Sequence, residues 1–306
     1  MTFLYHHDDC LAHDPGPYHA ENPGRLQAIM TALRGTRFTQ PLEYRVAPLG
    51  SDEQVLLAHT DAHLRLVRSS APAEGRAALD PDTGMSPGSL NAALRAVGAA
   101  CAGVDDLVRN RTQHVFCATR PPGHHATPNR AMGFCLFNQI AIAALHAMQQ
   151  HHLQRIAIVD FDVHHGNGTQ DILQGKDGML YVSTHQSPLY PGSGQLDENI
   201  DGNILNVPLP GGTGDRAYQQ VFADEILPAL AAFKPQLLFV SAGFDAHRAD
   251  PLAGIALTEA TYAWLGKQLR AVANAHADGR LLSVLEGGYN LDVLGASVAA
   301  YIEGAA

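Results

Sequence analysis

Asp160, Asp162 and His164 stand two residues apart at the end of an apolar run, Ile156-Ala157-Ile158-Val159. In an extended chain this spacing turns all three side chains to one side. Two carboxylates so close to a buried strand are costly unless positive charge sits between them. Oxygen and nitrogen donors of this kind suit a borderline cation such as zinc. A catalytic zinc site needs about three protein ligands and an open position for water or substrate. Asp162 and His164 supply two, and Asp250, just before Pro251, is the best candidate for the third. The plainer reading makes the two acids caps or surface residues and His164 an ordinary loop histidine. Gly166 and Gly168, together with a second histidine pair beyond another strand, weigh against it.

That second pair is His124-His125, in Pro121-Pro122-Gly123-His124-His125. Histidine titrates nearest neutral pH, so two imidazoles can divide general-base and electrostatic work. Each ring needs an acceptor to orient it, and Asp160 and Asn167 are the candidates. Tyr289 follows Gly287-Gly288, which let the backbone bend sharply. Its phenol reads either as a donor to a developing oxyanion or as a hairpin residue packed on the core, and the residues alone leave both open. His6-His7 and His151-His152 read as surface pairs.

Five continuous apolar runs must position these groups: 115–118, 156–159, 180–183, 237–240 and 281–285. Continuous rather than alternating hydrophobicity predicts buried parallel strands. Helical spacing covers 89–108, 137–151, 218–233 and 258–275, with Thr258 as an expected N-cap. Alternating strands and helices predict an α/β domain over residues 1–306, its mostly parallel sheet covered on both faces. Every run exits into acids, histidines or glycines, and ligands of open α/β sheets bind beyond the carboxyl ends of strands. The 306 residues are 46% hydrophobic, enough for a large core. A net charge of −10 without a basic cluster predicts no nucleic-acid surface. No apolar stretch reaches the roughly 18 residues of a membrane span. The first residues lack a leader pattern and only four cysteines are present, so a reducing cytoplasm is expected.

In order along the chain, the motifs resemble the histone deacetylase family, in particular its class II-like and bacterial members. They include Asn22-Pro23-Gly24-Arg25-Leu26, Arg120 to Ala126, Gly133 to Asn138, Asp160 to Gln170, Tyr190 to Gly194, Ser241 to His247 and Leu285 to Leu291. The resemblance implies the three-layer α/β/α fold shared with arginases. It also implies one zinc held by Asp162, His164 and Asp250. His125, oriented by Asn167, would be the general base and acid; His124, paired with Asp160, would stabilise charge. Tyr289 would polarise the substrate carbonyl. Phe134 and Tyr190 would flank a narrow channel, with Gly133 offering a backbone contact, Asp82 at the rim and Arg25 on a route for the released acid. A structural potassium would be met by Asp160, Asp162, His164, Ser183 and Thr184, several through backbone oxygens.

Two positions depart from the family pattern. Tyr190 replaces a commoner phenylalanine, and Ala20 stands where proline is frequent. The implied reaction is metal-assisted hydrolysis of an N-acyl amine, acetyl-lysine or longer acyl-lysine on a peptide or protein being the expected substrate. A small acylated amine such as an acetylpolyamine is the closest rival. In the polyamine-selective branch a glutamate follows the Asp-Pro pair; here Leu252 stands there, which favours lysine substrates. A two-manganese arginase-type hydrolase and a non-catalytic acyl-lysine reader are the remaining alternatives. No membrane partner is expected, and an oligomer is compatible with the sequence.

Overall fold

The computed structural model describes residues 1–306. Eight strands form one sheet in which every pairing is parallel. They are β1 Thr2–His6, β2 Leu42–Val46, β5 His114–Cys117, β6 Ile156–Asp160, β7 Met179–Gln186, β8 Ile204–Leu209, β9 Leu237–Ala242 and β10 Leu281–Leu285. The spatial order is β2-β1-β5-β10-β9-β6-β7-β8, and β3 Ala77–Asp80 with β4 Thr83–Met85 makes a separate antiparallel ribbon. The helices are α1 Gly24–Gly35, α2 Asp52–Val55, α3 Asp61–Ser70, α4 Ser89–Val108, α5 Gln139–His151, α6 Asn167–Leu173, α7 Asp215–Val221, α8 Leu227–Phe233, α9 Glu259–His276 and α10 Leu291–Gly304.

The five continuous apolar runs are the central strands β5, β6, β7, β9 and β10. Along β9, Leu238, Val240 and Ala242 enter one core while Leu237 and Phe239 enter the other. These cores hold 41 and 38 buried residues, so both faces of the sheet are covered about equally. That is why these strands read as unbroken hydrophobic runs. Each fully buried leucine or valine contributes roughly 1.5–3 kcal/mol.

The missed strands have different surroundings. Edge strand β2 is part-exposed, β8 carries Asn206 and Pro208 within it, and β1, though buried, begins and ends in the polar residues Thr2 and His6. Helix α5 begins two residues later than its spacing predicts, because Asn138 accepts from the Ala141 amide and caps it. The predicted helix over 218–233 is interrupted by a π-turn at Phe222–Ile226. Thr258 stands at the start of α9, but its hydroxyl donates to Asp215 instead of capping the helix.

Register carries this architecture to the site. Asp160 pairs with Ser183 on one side and Ser241 on the other, and Leu285 pairs with Ala242. The exits of β6, β9 and β10 therefore open at one level on the carboxyl edge, and β7 runs on past Ser183 to Gln186. The sequence order breaks there too, since β9 and β10 insert between β5 and β6. Such a break leaves the crevice where α/β sheets bind ligands.

Candidate active site

Beyond that edge, Asp162, His164 and Asp245 bring their ligating atoms within 4.8 Å of one another. His164 Nδ1 lies 3.1 Å from both Asp162 Oδ1 and Asp245 Oδ2. The carboxylates are anchored by amides: Gly287 donates to Asp162 Oδ2 at 2.7 Å, and Val163 donates to Asp245 Oδ1 at 3.0 Å. A Cβ on Gly287 would collide with both acids, and one on Gly243 with Asp162. Glycine is therefore required at these two close approaches.

Asp250, the expected third ligand, lies outside the group whose ligating atoms converge within 4.8 Å, but close enough for its charge to act on Asp245. Its Oδ2 accepts from the Tyr289 amide at 2.7 Å and its Oδ1 from the Leu252 amide at 3.0 Å. These two bonds tie its turn to the backbone of Tyr289 and leave each carboxylate oxygen a further lone pair. The third member is Asp245, three residues beyond the end of β9.

The trio fits a divalent cation. Burial would lower the His164 pKa, but Asp162 and Asp245 outweigh it and push it up to about 10. Burial, reinforced by Asp162, raises Asp245 to about 7. Two buried acids thus demand positive charge beside them, and within the protein the His164 proton and His124, whose Nε2 lies 3.8 Å from Asp162 Oδ1, supply it. A cation of the zinc class would meet that demand with a matching two-oxygen, one-nitrogen donor set.

The two other histidines are held differently. His124 Nδ1 donates to Asp160 Oδ2 at 3.0 Å, an oxygen that also accepts from the Tyr181 hydroxyl at 2.9 Å. Burial opposes charge on His124, yet Asp160, Asp162 and Glu286 raise its pKa to about 10. His125 Nδ1 donates to Asn167 Oδ1 at 2.9 Å. With that neutral partner, burial and then the neighbouring His124 and His164 hold His125 well below the ordinary value. The ring centroids of His124 and His125 are 4.0 Å apart.

A cavity of about 220 Å³ leads to these groups. The expected residues Asp82, Gly133, Phe134, Tyr190, Leu252 and Tyr289 line it with His125 and His164, and Leu189 joins them. Phe134 and Tyr289 meet edge to face at 5.9 Å, and Tyr190 stands edge-on to His125 at 5.2 Å. Asp82 Oδ1 accepts from the Gly133 amide and the Thr83 hydroxyl, so one of its oxygens fixes the turn carrying Phe134. The Ser183 and Thr184 hydroxyls pair with His185 and Tyr218. An apolar hollow of about 500 Å³ beside β8 is larger, but Asp201 is the one ionisable residue lining it.

Arg25 is fully buried and donates to the Gly288 and Glu286 carbonyls and to Glu21. Its guanidinium lies 4.8 Å from the Tyr289 ring centre, so it braces the turn that presents the phenol. Glu21 also pairs with Arg120 and with His13. Glu286 accepts from the amides of Gly123 and His124 and from Ser241, pinning the histidine loop to β9 and β10. Sequence reasoning passed over both glutamates. The signal for Glu286 was available: an acid at the end of an apolar strand, like Asp160.

The Histone deacetylase domain profile matches residues 19–305. The chain is 37% identical to the Histone deacetylase-like amidohydrolase of Pseudomonas aeruginosa, over 94% of this chain and 82% of that protein. It is also 37% identical to Type-2 histone deacetylase 2 of Dictyostelium discoideum, covering 95% of this chain but only 20% of that much longer protein. The solved HDA15 HD domain superposes with a TM-score of 0.91 at 35% identity, covering 98% of this chain and 89% of that one.

Proposed function

The chain belongs to the histone deacetylase family, and from that premise we propose that it is a zinc-dependent amidohydrolase removing acyl groups from lysine side chains. The observation that carries this reading is one cavity ending at Asp162, His164 and Asp245 beside two differently partnered histidines and a phenol. In this reading Asp162, His164 and Asp245 hold the zinc. A zinc ion bound there would supply Lewis acidity toward the acyl carbonyl and make water more acidic.

The chain's own residues do the rest. His125, with Nδ1 committed to Asn167, takes the water proton at Nε2 and later gives it to the leaving amine. His124, held by Asp160, keeps a positive charge beside the reacting atoms. The Tyr289 hydroxyl has no protein partner within hydrogen-bonding reach and donates to the developing oxyanion. Asp250 and Arg25 fix that phenol from its backbone and its ring face. Phe134, Tyr190 and Leu252 exclude water around an aliphatic stem.

Lysine-type substrates are favoured by the apolar wall at Leu252, which offers nothing to an inner ammonium. Small cationic amides are the second reading, favoured by Asp82, whose Oδ2 is free at the mouth. The deciding experiment compares kcat/KM on acetyl-lysine peptides, longer acyl-lysine peptides and acetylpolyamines. The proposal expects a lysine peptide to lead. An acetylpolyamine turned over faster than every peptide would replace it with the second reading.

A further inference from the structure

One histidine of the pair left at the surface by its sequence context has a partner set of its own. His151 Nε2 lies 2.7 Å from Asp105 Oδ1, and His146 Nε2 lies 3.0 Å from the same oxygen. We propose that Asp105, His146 and His151 form a second divalent-cation site, between α4 and α5, that takes ions of the zinc class.

The ligating atoms of the three residues lie within 4.8 Å of one another. Two imidazole nitrogens and one carboxylate oxygen are the donor set that zinc, cobalt and nickel ions accept, with water completing the coordination. Residues five apart on a regular helix point about 140° away from each other. Convergence of His146 and His151 on one oxygen is thus not a by-product of helical spacing. It occurs where α5 ends, with His152 in the left-handed region at φ 56°. Neither Nδ1 makes a protein hydrogen bond, so each ring can carry its proton there and free Nε2, giving up only the bond to Asp105 that a cation would replace.

Side-chain exposures of 11%, 15% and 30% for His146, His151 and Asp105 leave the cluster sheltered yet open to water. The competing cation is Arg109, 3.6 Å from the other Asp105 oxygen, and its own exposure of 55% lets it swing away. The site is remote from the chemistry described above. His146 and His151 lie about 12–20 Å along the α5 axis from Asn138, at 1.5 Å per residue. The chain then enters β6 from the edge of the sheet opposite the active site. A cation there would clamp α4 to α5 without touching the catalytic groups.

The alternative is a purely hydrogen-bonded tie, in which Asp105 accepts from two neutral histidines. Asp105→Asn separates the two, because an amide oxygen still accepts from both rings but is a poor ligand. The full-length protein is dialysed against micromolar zinc chloride, and bound metal is counted by mass spectrometry. Wild type is expected to hold one more zinc per chain than Asp105→Asn, and His151→Gln should show the same deficit. The difference is what is counted, so it stands whether or not the active site takes zinc. At about 100 times the dissociation constant, zinc should raise the wild-type Tm by several degrees, on the order of 5 °C, beyond any rise in the variants. Equal metal counts in wild type and Asp105→Asn would overturn the proposal, as would equal zinc-induced shifts in Tm.

Discussion

Replacing Asp245 and Asp250 separately probes the site where two acids five residues apart compete for one role. Asp245→Ala removes one of the three converging donors and leaves Asp162 and His164 facing a gap. The zinc site then has two protein ligands instead of three, so metal and turnover should be lost together. Asp250→Ala removes no donor of the trio. It strips the acceptor from two amides, those of Tyr289 and Leu252, at 2.7 and 3.0 Å. A hydrogen bond to a charged group contributes about 1.5–3 kcal/mol when well formed. Asp250 is 7% exposed, and the freed amides recover part of that from water, so a net loss of about 2–4 kcal/mol is expected. Stability should fall by that amount in urea, while the zinc content stays at the wild-type level. Turnover should fall as well, because Tyr289 loses the bond that fixes its backbone. The assay is metal content by mass spectrometry beside urea unfolding, both in the Asp105→Asn background so that only the active site is counted. Loss of zinc in Asp250→Ala with retention in Asp245→Ala would refute this assignment.

Tyr289→Phe should keep fold and metal while lowering kcat roughly 10²–10³-fold, the usual loss for one oxyanion donor; near-normal turnover would assign the phenol no part in the reaction. His125→Ala should damage kcat more than His124→Ala at neutral pH, by about 10²–10⁴-fold for a general base. The reverse order would exchange the roles that Asn167 and Asp160 define. A third prediction concerns acid stability and lies outside the site. His59 Nδ1 donates to the Thr127 carbonyl and its Nε2 accepts from the Asn138 amide, so only the neutral ring fits. Burial, then His63, holds its pKa at about 3, against about 6.5 when unfolded. Protons therefore favour the unfolded chain between those values. The contribution is complete above pH 6.5 and lost as pH falls toward 3, amounting to about 2 kcal/mol at pH 5. Urea unfolding at pH 7 and pH 5 should show that much less acid sensitivity in His59→Gln than in wild type; identical pH dependence would contradict it.

Much of the site was legible because buried parallel strands declare themselves twice. Their apolar runs are continuous, and polar residues at their carboxyl ends mark the crevice. Asp160, Asp162, His164, His124, His125 and Tyr289 could all be located in this way. Asp250, just before Pro251, is the third ligand expected from the sequence, and the geometry sets Asp245 beside it as a rival for that role. The same strand-end logic, applied to Leu237–Ala242 and the Gly243-Phe244-Asp245 that follows, points to Asp245. Edge strands β2 and β8 were illegible for the opposite reason, since exposure and interior polar residues erase the apolar run. The pairing of Glu21 with Arg120 spans 99 residues, and the bonds of Arg25 to the Gly288 and Glu286 carbonyls span still more. No local pattern records such a contact.

The central claim is that one zinc ion at the trio drives hydrolysis of an acyl-lysine amide. It is tested most directly by stripping the protein with a chelator and following acetate release from an acetyl-lysine peptide as zinc is returned. The Asp105→Asn background removes the peripheral site from the count. Activity should vanish on stripping and return fully at one zinc per chain. Undiminished acetate release by the metal-free protein, or recovery only at two metal ions per chain, would contradict the account.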